Sequence, residues 1–251
     1  MPQNNSAQGL VVGGIVPVTT IDYPEHLSAV IFCQGCCWHC PYCHNAGIID
    51  ANAVIPGAPK WEEVLDFLDK RKGLLDAVVF SGGEPLVQPF IRTAIKQVRE
   101  KGFAIALHTN GHNPELLAEI LPDIEWVGLD IKAPFADYHK AVSKTEDDWA
   151  KMKAHNFGAK VSQSLDILLK SGISFEARTT LDPRIITKDM LKELATELSA
   201  RKVSTYAIQE YRKTDNDSAQ SSDADIHSFF TDTELLKELS SLFPEFIVRR
   251  G

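Results

Sequence analysis

Apolar runs closed off by turn residues recur along the chain, at residues 27–33, 77–81, 103–109, 126–132, 173–181 and 203–209. Their length and β-branched content predict strands. Between most of them the apolar positions repeat at helical spacing. Trp61, Val64, Leu65 and Leu68 share one face, as do Leu165, Leu168 and Leu169, and then Leu191, Leu194 and Leu198. Thr187, just before Lys188 and Asp189, is placed to cap the helix carrying the last of these sets. Residues 231–242 predict a final amphipathic helix, and residues 246–248 a short closing strand.

Strands alternating with helices imply parallel βαβ units. About six such units are too few for a closed eight-stranded barrel. An open, partial barrel or a doubly wound α/β sheet remains. The polar tract 213–225 reads as a mobile surface loop. With no internal repeat and no linker, residues 1–251 are expected to form one domain, its core at about 10–212 and a helix and short strand at 226–251.

The least ordinary motifs all fall just past predicted strands. They are the cysteine-rich stretch 33–43, Ser81-Gly82-Gly83-Glu84-Pro85, His108-Thr109-Asn110-Gly111, Asp130-Ile131-Lys132 and Gln209-Glu210-Tyr211-Arg212. In parallel α/β folds ligands bind at the carboxyl ends of the strands, so these loops are expected to form one active site.

Composition narrows the function. A chain of 251 residues with 44% hydrophobic content can bury a substantial core. Its net charge of −8, with no basic run longer than Lys70-Arg71-Lys72, argues against nucleic-acid binding. The amino-terminal stretch has no basic n-region followed by an apolar core, and no apolar run approaches the ~18 residues that span a bilayer. A soluble cytoplasmic protein without a membrane partner is expected. There, cysteines serve as metal ligands or redox groups more often than as disulfides.

All five cysteines lie in CQGCCWHCPYC, residues 33–43. A zinc ribbon would separate its two CxxC knuckles by roughly 15–20 residues, whereas only three residues separate Cys36 from Cys40. Three cysteines with His39 or His44 also make a zinc set. Cys37 and Cys40, or Cys40 and Cys43, make CxxC redox pairs. Thiolates at Cys36-x-x-x-Cys40-x-x-Cys43 suit an iron–sulfur cluster with one iron left open.

The stretch FCQGCCWHCPYCHN resembles the signature of the radical S-adenosylmethionine superfamily, with Cys36, Cys40 and Cys43 at its three cysteine positions. Thr20-Ile21-Asp22-Tyr23-Pro24, Phe80-Ser81-Gly82-Gly83-Glu84-Pro85, Thr109-Asn110-Gly111 and Leu129-Asp130-Ile131-Lys132-Ala133-Pro134 extend the likeness to the short glycyl-radical-enzyme activases. It is strongest to the branch that activates anaerobic ribonucleotide reductase, with pyruvate formate-lyase activases also similar.

The resemblance implies a partial, open TIM-like (β/α)6 barrel and one 4Fe–4S cluster on Cys36, Cys40 and Cys43. It implies S-adenosylmethionine on the open iron, with Tyr42 stacking its adenine and His44 and Asn45 in the same binding loop. Gly82, Gly83 and Glu84 would hold the methionyl amine. Thr109 and Asn110 would serve the ribose or carboxylate, and Asp130, Ile131 and Lys132 would lie beside ribose and methionine. Arg178 would meet the cofactor carboxylate, and Arg212 stands near a ligand-binding position of the pyruvate formate-lyase activases. The activity implied is reductive cleavage of the cofactor, with an electron from flavodoxin or ferredoxin, and abstraction of hydrogen from a glycine of a partner enzyme, expected to be anaerobic ribonucleotide reductase. A radical enzyme acting on a small molecule, such as a modified-purine precursor synthase, and a zinc-bound structural or sensor protein are the alternatives.

Each motif also has an ordinary structural account. Gly82-Gly83 suits a tight turn, Asn110-Gly111 another, and Asp130, Lys132 and Arg178 suit buried ion pairs. The chain departs from the pattern at His108, where the activases carry aspartate, and at Glu25, where they carry glycine. Cys33 and Cys37 sit at variable positions. No cysteine lies outside the loop, so only one cluster is expected.

Overall fold

The computed structural model describes residues 9–143, 153–213 and 222–250. The chain divides into two compact units, one of Met1–Cys37, Asn45–Gly128 and Ser171–Ser174, the other of Trp38–His44, Leu129–Lys170 and Phe175–Gly251.

In the first unit β1 (Val12–Thr19) runs antiparallel to β2 (Ser28–Cys33), with Val16 opposite Val30. β2 is parallel to β3 (Ala77–Gly82), from Ser28 opposite Ala77 to Cys33 opposite Gly82. β3 is parallel to β4 (Ala104–Thr109). β2 and β3 are apolar without alternation because both faces are covered: Ala29, Val30 and Ile31 are buried, as is every residue from Ala77 to Phe80. Helices α1 (Trp61–Asp69), α2 (Ile91–Glu100) and α3 (Pro114–Ile120) belong to this unit. Trp61, Val64 and Leu68 of α1 are buried as their spacing predicts, with Leu65 partly so. Pro114 and the Asn113 carboxamide, which accepts the Leu116 N–H at 3.1 Å, start α3.

β1 was not expected. Its Gly13, Gly14 and Pro17 disguise it, and an edge position lets the proline go without a ladder hydrogen bond. Tyr23, Val30, Ala77, Val79, Ala106 and Trp126 pack into one core cluster of this unit.

Along β5 (Trp126–Asp130) the chain passes into the second unit. This strand ends at Asp130 rather than at residue 132. A one-turn helix α4 (Tyr138–Ala141) and a longer α5 (Phe157–Ser171) follow. β6 (Ser174–Leu181), β7 (Thr205–Glu210) and β8 (Glu245–Arg249) are parallel neighbours. α6 (Lys188–Ala200) starts on the predicted cap: Thr187 Oγ1 accepts the Met190 N–H at 3.2 Å.

The carboxyl-terminal expectation needs correction. Of the tract read as a mobile loop, residues 214–221 lie outside the described residues, and α7 (Asp223–Thr231) already begins within it, capped by Ser222. The single predicted helix 231–242 is instead the end of α7 and a separate α8 (Thr233–Ser240). Asp232 leaves the helical region at φ −81°, ψ 91°, and its carboxylate accepts the Leu235 N–H at 3.0 Å. An N-cap aspartate starts a new helix rather than continuing the old one. Among the described residues no helix is long and apolar enough to cross a membrane.

Candidate functional site

The first unit gathers the ends of β2, β3 and β4. Gly82 has φ +111°, and a Cβ there would stand 2.6 Å from the Cys33 carbonyl oxygen. One on Gly83 would stand 2.8 Å from the Gly35 carbonyl carbon. The two glycines let main chain meet main chain: Gly83 N–H donates to Cys33 O at 2.8 Å and Glu84 N–H to Gly35 O at 2.9 Å. The Asn45 carboxamide donates to Gly82 O at 2.7 Å, tying the residue after the last cysteines' loop to the same turn.

Glu84 is 1% exposed and fully engaged. Its Oε1 accepts the Thr109 hydroxyl at 2.6 Å and the Leu86 N–H at 3.0 Å, and its Oε2 accepts the Asn110 N–H at 2.7 Å. Burial pushes its carboxyl up to about 8, with the nearby Cys36 adding to the rise and the three hydrogen bonds opposing it. Thr109 Oγ1 also accepts the Gly111 N–H at 3.1 Å, and Asn110 Oδ1 the His112 N–H at 3.0 Å. These residues fasten the β3 loop to the β4 loop.

Two glutamines brace the cysteine stretch. Gln34 Nε2 donates to Asp50 O at 2.8 Å and Ala53 O at 2.7 Å. Gln88, which nothing in the sequence marks, donates to Gln34 O and to Val11 O, the latter at 3.2 Å. His108 faces main chain and an aromatic ring: Nε2 donates to Asp22 O at 2.7 Å, and the ring stands edge-on to Trp126, centroids 5.7 Å apart.

No cysteine is in a disulfide; Cys33 is buried, Cys36 partly exposed and Cys37 exposed. Burial raises the Cys33 thiol, and a hydrogen bond with Cys36 together with burial raises that of Cys37. Among the described residues no three His, Cys, Asp or Glu side chains gather as ligands of one metal ion. Thiolates of a four-iron cluster bind different irons and need no such gathering.

In the second unit Cys43 N–H donates to Cys40 O at 3.2 Å, and both side chains are partly exposed. Tyr42 between them is 6% exposed, and Lys132 Nζ stands 5.7 Å from its ring centroid. The Lys132 ammonium also pairs with Asp130 Oδ2 at 3.4 Å. Burial alone would lower the lysine, but the charges of Asp130, Tyr42 and Cys40 outweigh it and hold it well above its ordinary value. Arg178 finds its partner in the same aspartate: Nε lies 2.9 Å and Nη2 2.8 Å from Asp130 Oδ1.

Tyr138, which no sequence pattern singled out, orders this group. Its hydroxyl accepts the Lys132 N–H at 3.1 Å and donates to Asp130 O at 3.1 Å. Ile131 is a core position, fully buried, with its main chain bonded to Arg178 O and the Thr179 hydroxyl. His44 and Arg212 are exposed. The buried residue of the Gln209–Arg212 motif is Tyr211, 3% exposed, with the His44 ring edge-on at 6.3 Å.

The fold is an α/β arrangement of parallel strands and intervening helices, as expected of the radical SAM type. A solved radical SAM methyltransferase from Sphaerobacter thermophilus superposes with a TM-score of 0.62 at 15% identity, over 93% of this chain and 68% of that one. The profile of the Radical SAM superfamily matches residues 30–174, and the chain belongs to that superfamily. It is therefore an enzyme whose cofactors are a 4Fe–4S cluster and S-adenosylmethionine. A provisionally named glycyl-radical enzyme activating enzyme of Methanocaldococcus jannaschii is 33% identical over 208 residues, which cover 82% of this chain and 81% of that protein. The pyruvate formate-lyase-activating enzyme of Clostridium pasteurianum is 35% identical over 150 residues, 54% of this chain and 59% of the relative. Activating enzymes of glycyl-radical enzymes are thus among the relatives this chain is similar to.

Proposed function

We propose that this enzyme installs a glycyl radical on a partner protein, and that the partner is an anaerobic ribonucleoside-triphosphate reductase. The observation that carries the reading is the order of motifs: a Cys-x-x-x-Cys-x-Tyr-Cys loop after β2, Gly-Gly-Glu after β3, Thr-Asn-Gly after β4 and Asp-Ile-Lys after β5. The alignment with one activating-enzyme relative over 82% of the chain supports it.

In this reading Cys36, Cys40 and Cys43 hold the cluster. The donor set fits: three partly exposed thiols, none in a disulfide, with the intervening Tyr42 ring buried. When bound, the cluster supplies the electron that cleaves S-adenosylmethionine into methionine and the 5′-deoxyadenosyl radical used on the glycine. The chain's own residues orient and enclose the cofactor. The β3 turn, held by Glu84 against Thr109 and Asn110, presents main-chain acceptors to the methionyl ammonium. Asp130, Lys132 and Arg178 form a charged group suited to the cofactor's polar end, and Tyr42 offers a flat face to the adenine. Flavodoxin or ferredoxin delivers the electron, the setting is the cytoplasm, and the two compact units act as one catalytic domain.

Mixing the reconstituted enzyme with S-adenosylmethionine, reductant and an anaerobic ribonucleotide reductase should yield a glycyl-radical signal by electron paramagnetic resonance. A protein that cleaves the cofactor but leaves every glycyl-radical partner without signal would transfer the chemistry to a small-molecule substrate.

A further inference from the structure

β8, the outer strand of the second unit, pairs with β7 and, among the described residues, with no other strand. Glu245 N–H donates to Ser204 O at 3.0 Å, so the main chain of Glu245 addresses β7. Main-chain groups alternate sides along a strand. Those of Ile247 and Arg249 therefore also face β7, and those of Phe246 and Val248 face away from it. Among the described residues no hydrogen bond takes the outward N–H and C=O of Phe246 and Val248.

Strand edges are normally blunted by proline, bulges or charge, because they template pairing with another chain. β1, the outer strand of the first unit, carries Pro17 and two register shifts. β8 has neither. Its residues EFIVR pair with β7 without a break, from Glu245 opposite Thr205 to Arg249 opposite Gln209. Its only charges stand at its two ends and are opposite in sign, with the half-buried Phe246, Ile247 and Val248 between them.

We propose that β8 is a dimerisation edge whose occupant is β8 of a second copy, antiparallel and centred on Ile247. In that register Phe246 of one copy faces Val248 of the other. Both carry outward main-chain groups, so each such pair exchanges two N–H···O bonds. Ile247 meets its own counterpart on the two-fold axis, and Glu245 falls opposite Arg249 at both ends by symmetry. Opposite charges directly across antiparallel strands stabilise the pairing, and like charges weaken it. The charged groups are available. Glu245 is exposed and gives only Oε2 to the Thr205 hydroxyl, at 2.9 Å. Arg249 gives Nη1 and Nη2 to Glu176 and keeps Nε, with its side chain 33% exposed. A slip of two residues preserves the main-chain pattern but moves Glu245 off Arg249, onto Ile247 in one direction and past the strand in the other. Parallel edges would set like charges side by side. The charge pattern thus selects a second copy in one register. The proposal concerns the sheet edge and does not rest on the function proposed above.

Sedimentation equilibrium of the cluster-loaded full chain, kept anaerobic, should show a reversible dimer. Val248→Pro removes an N–H that β7 does not use and puts a ring carbon in the second copy's path. It should sediment as a monomer and melt like the wild type. Glu245→Lys places a second cation against Arg249 and should weaken the dimer about tenfold. Should Val248→Pro melt below the wild type, Glu245→Lys decides alone, since its side chain is exposed. A wild type that stays monomeric at every concentration would overturn the proposal, as would a dimer that neither substitution weakens. A dimer lost in Val248→Pro but undiminished in Glu245→Lys would overturn the register centred on Ile247.

Discussion

The Thr109 hydroxyl donates to the buried carboxylate of Glu84 across 2.6 Å, joining the loop after β3 to the loop after β4. Glu84 is thus a tether for two site loops. Because burial raises its carboxyl to about 8 from an ordinary 4.5, the folded state binds its proton more tightly than the unfolded chain does. By linkage, stability is greatest below the unfolded value and falls as pH rises through the folded one. Ligand-free protein should therefore lose urea resistance between about pH 5 and pH 8. Glu84→Gln should flatten that part of the profile. It should also cost about 1–3 kcal/mol at low pH, since an amide NH2 would face the Asn110 N–H. Parallel pH slopes for the two proteins would refute the assignment.

Glu25 occupies a left-handed backbone position, φ +64°, where related activases are expected to carry glycine. A non-glycine residue there costs about 1–2 kcal/mol, against roughly 0.5–1 kcal/mol of extra chain entropy lost by glycine. The first effect is larger. Glu25→Gly should raise the unfolding free energy read from urea denaturation modestly, by up to about 1 kcal/mol, and Glu25→Val should lower it.

Gly83→Ala drives a Cβ into the Gly35 carbonyl, an atom fixed by its bond to Glu84 N–H. Neither partner is a flexible side-chain end. The expected result is a loss of about 3 kcal/mol or more, the size reserved for a broken buried network or backbone strain. Circular-dichroism melting would show it, and iron uptake should fail with it. Wild-type melting would mean the turn relaxes freely.

Single alanine substitutions at Cys36, Cys40 and Cys43 should each abolish iron binding and the brown chromophore after anaerobic reconstitution, while Cys33→Ala and Cys37→Ala keep most of both. Loss of iron in Cys37→Ala with retention in Cys36→Ala would shift the ligand register by one residue.

The central strands were legible because parallel strands buried on both faces leave unbroken apolar runs, as in Ala77–Phe80. β1 was not, because an edge strand can carry Gly13, Gly14 and Pro17 and still pair on one side. The single helix expected at 231–242 failed at Asp232, whose capping hydrogen bond outweighs an apolar periodicity that continues through it. At the site, the sequence marked the loops that follow the strands but not the protein partners of their side chains. Glu84 and Arg178 read as ligand groups, and the structure gives each a protein partner. Tyr138 and Gln88 left no trace in the pattern. Their importance lies in which atoms their polar tips meet, or do not meet, and spacing along a chain carries no such information.

Arg249 on β8 grips the buried Glu176 with two hydrogen bonds of 2.6 and 2.7 Å, and two residues further along the same face of β6 Arg178 holds Asp130. The two pairs have opposite polarity. If β6 slipped by two residues, its apolar pattern would still face the right way. One direction of slip would set Glu176 against Asp130 and leave Arg249 alone. The other would set Arg178 against Arg249 and strip Asp130 of its main partner. Either error buries a repulsion, so these charges act as a key that excludes the nearest misaligned sheet, a service to folding that operates before any cofactor arrives.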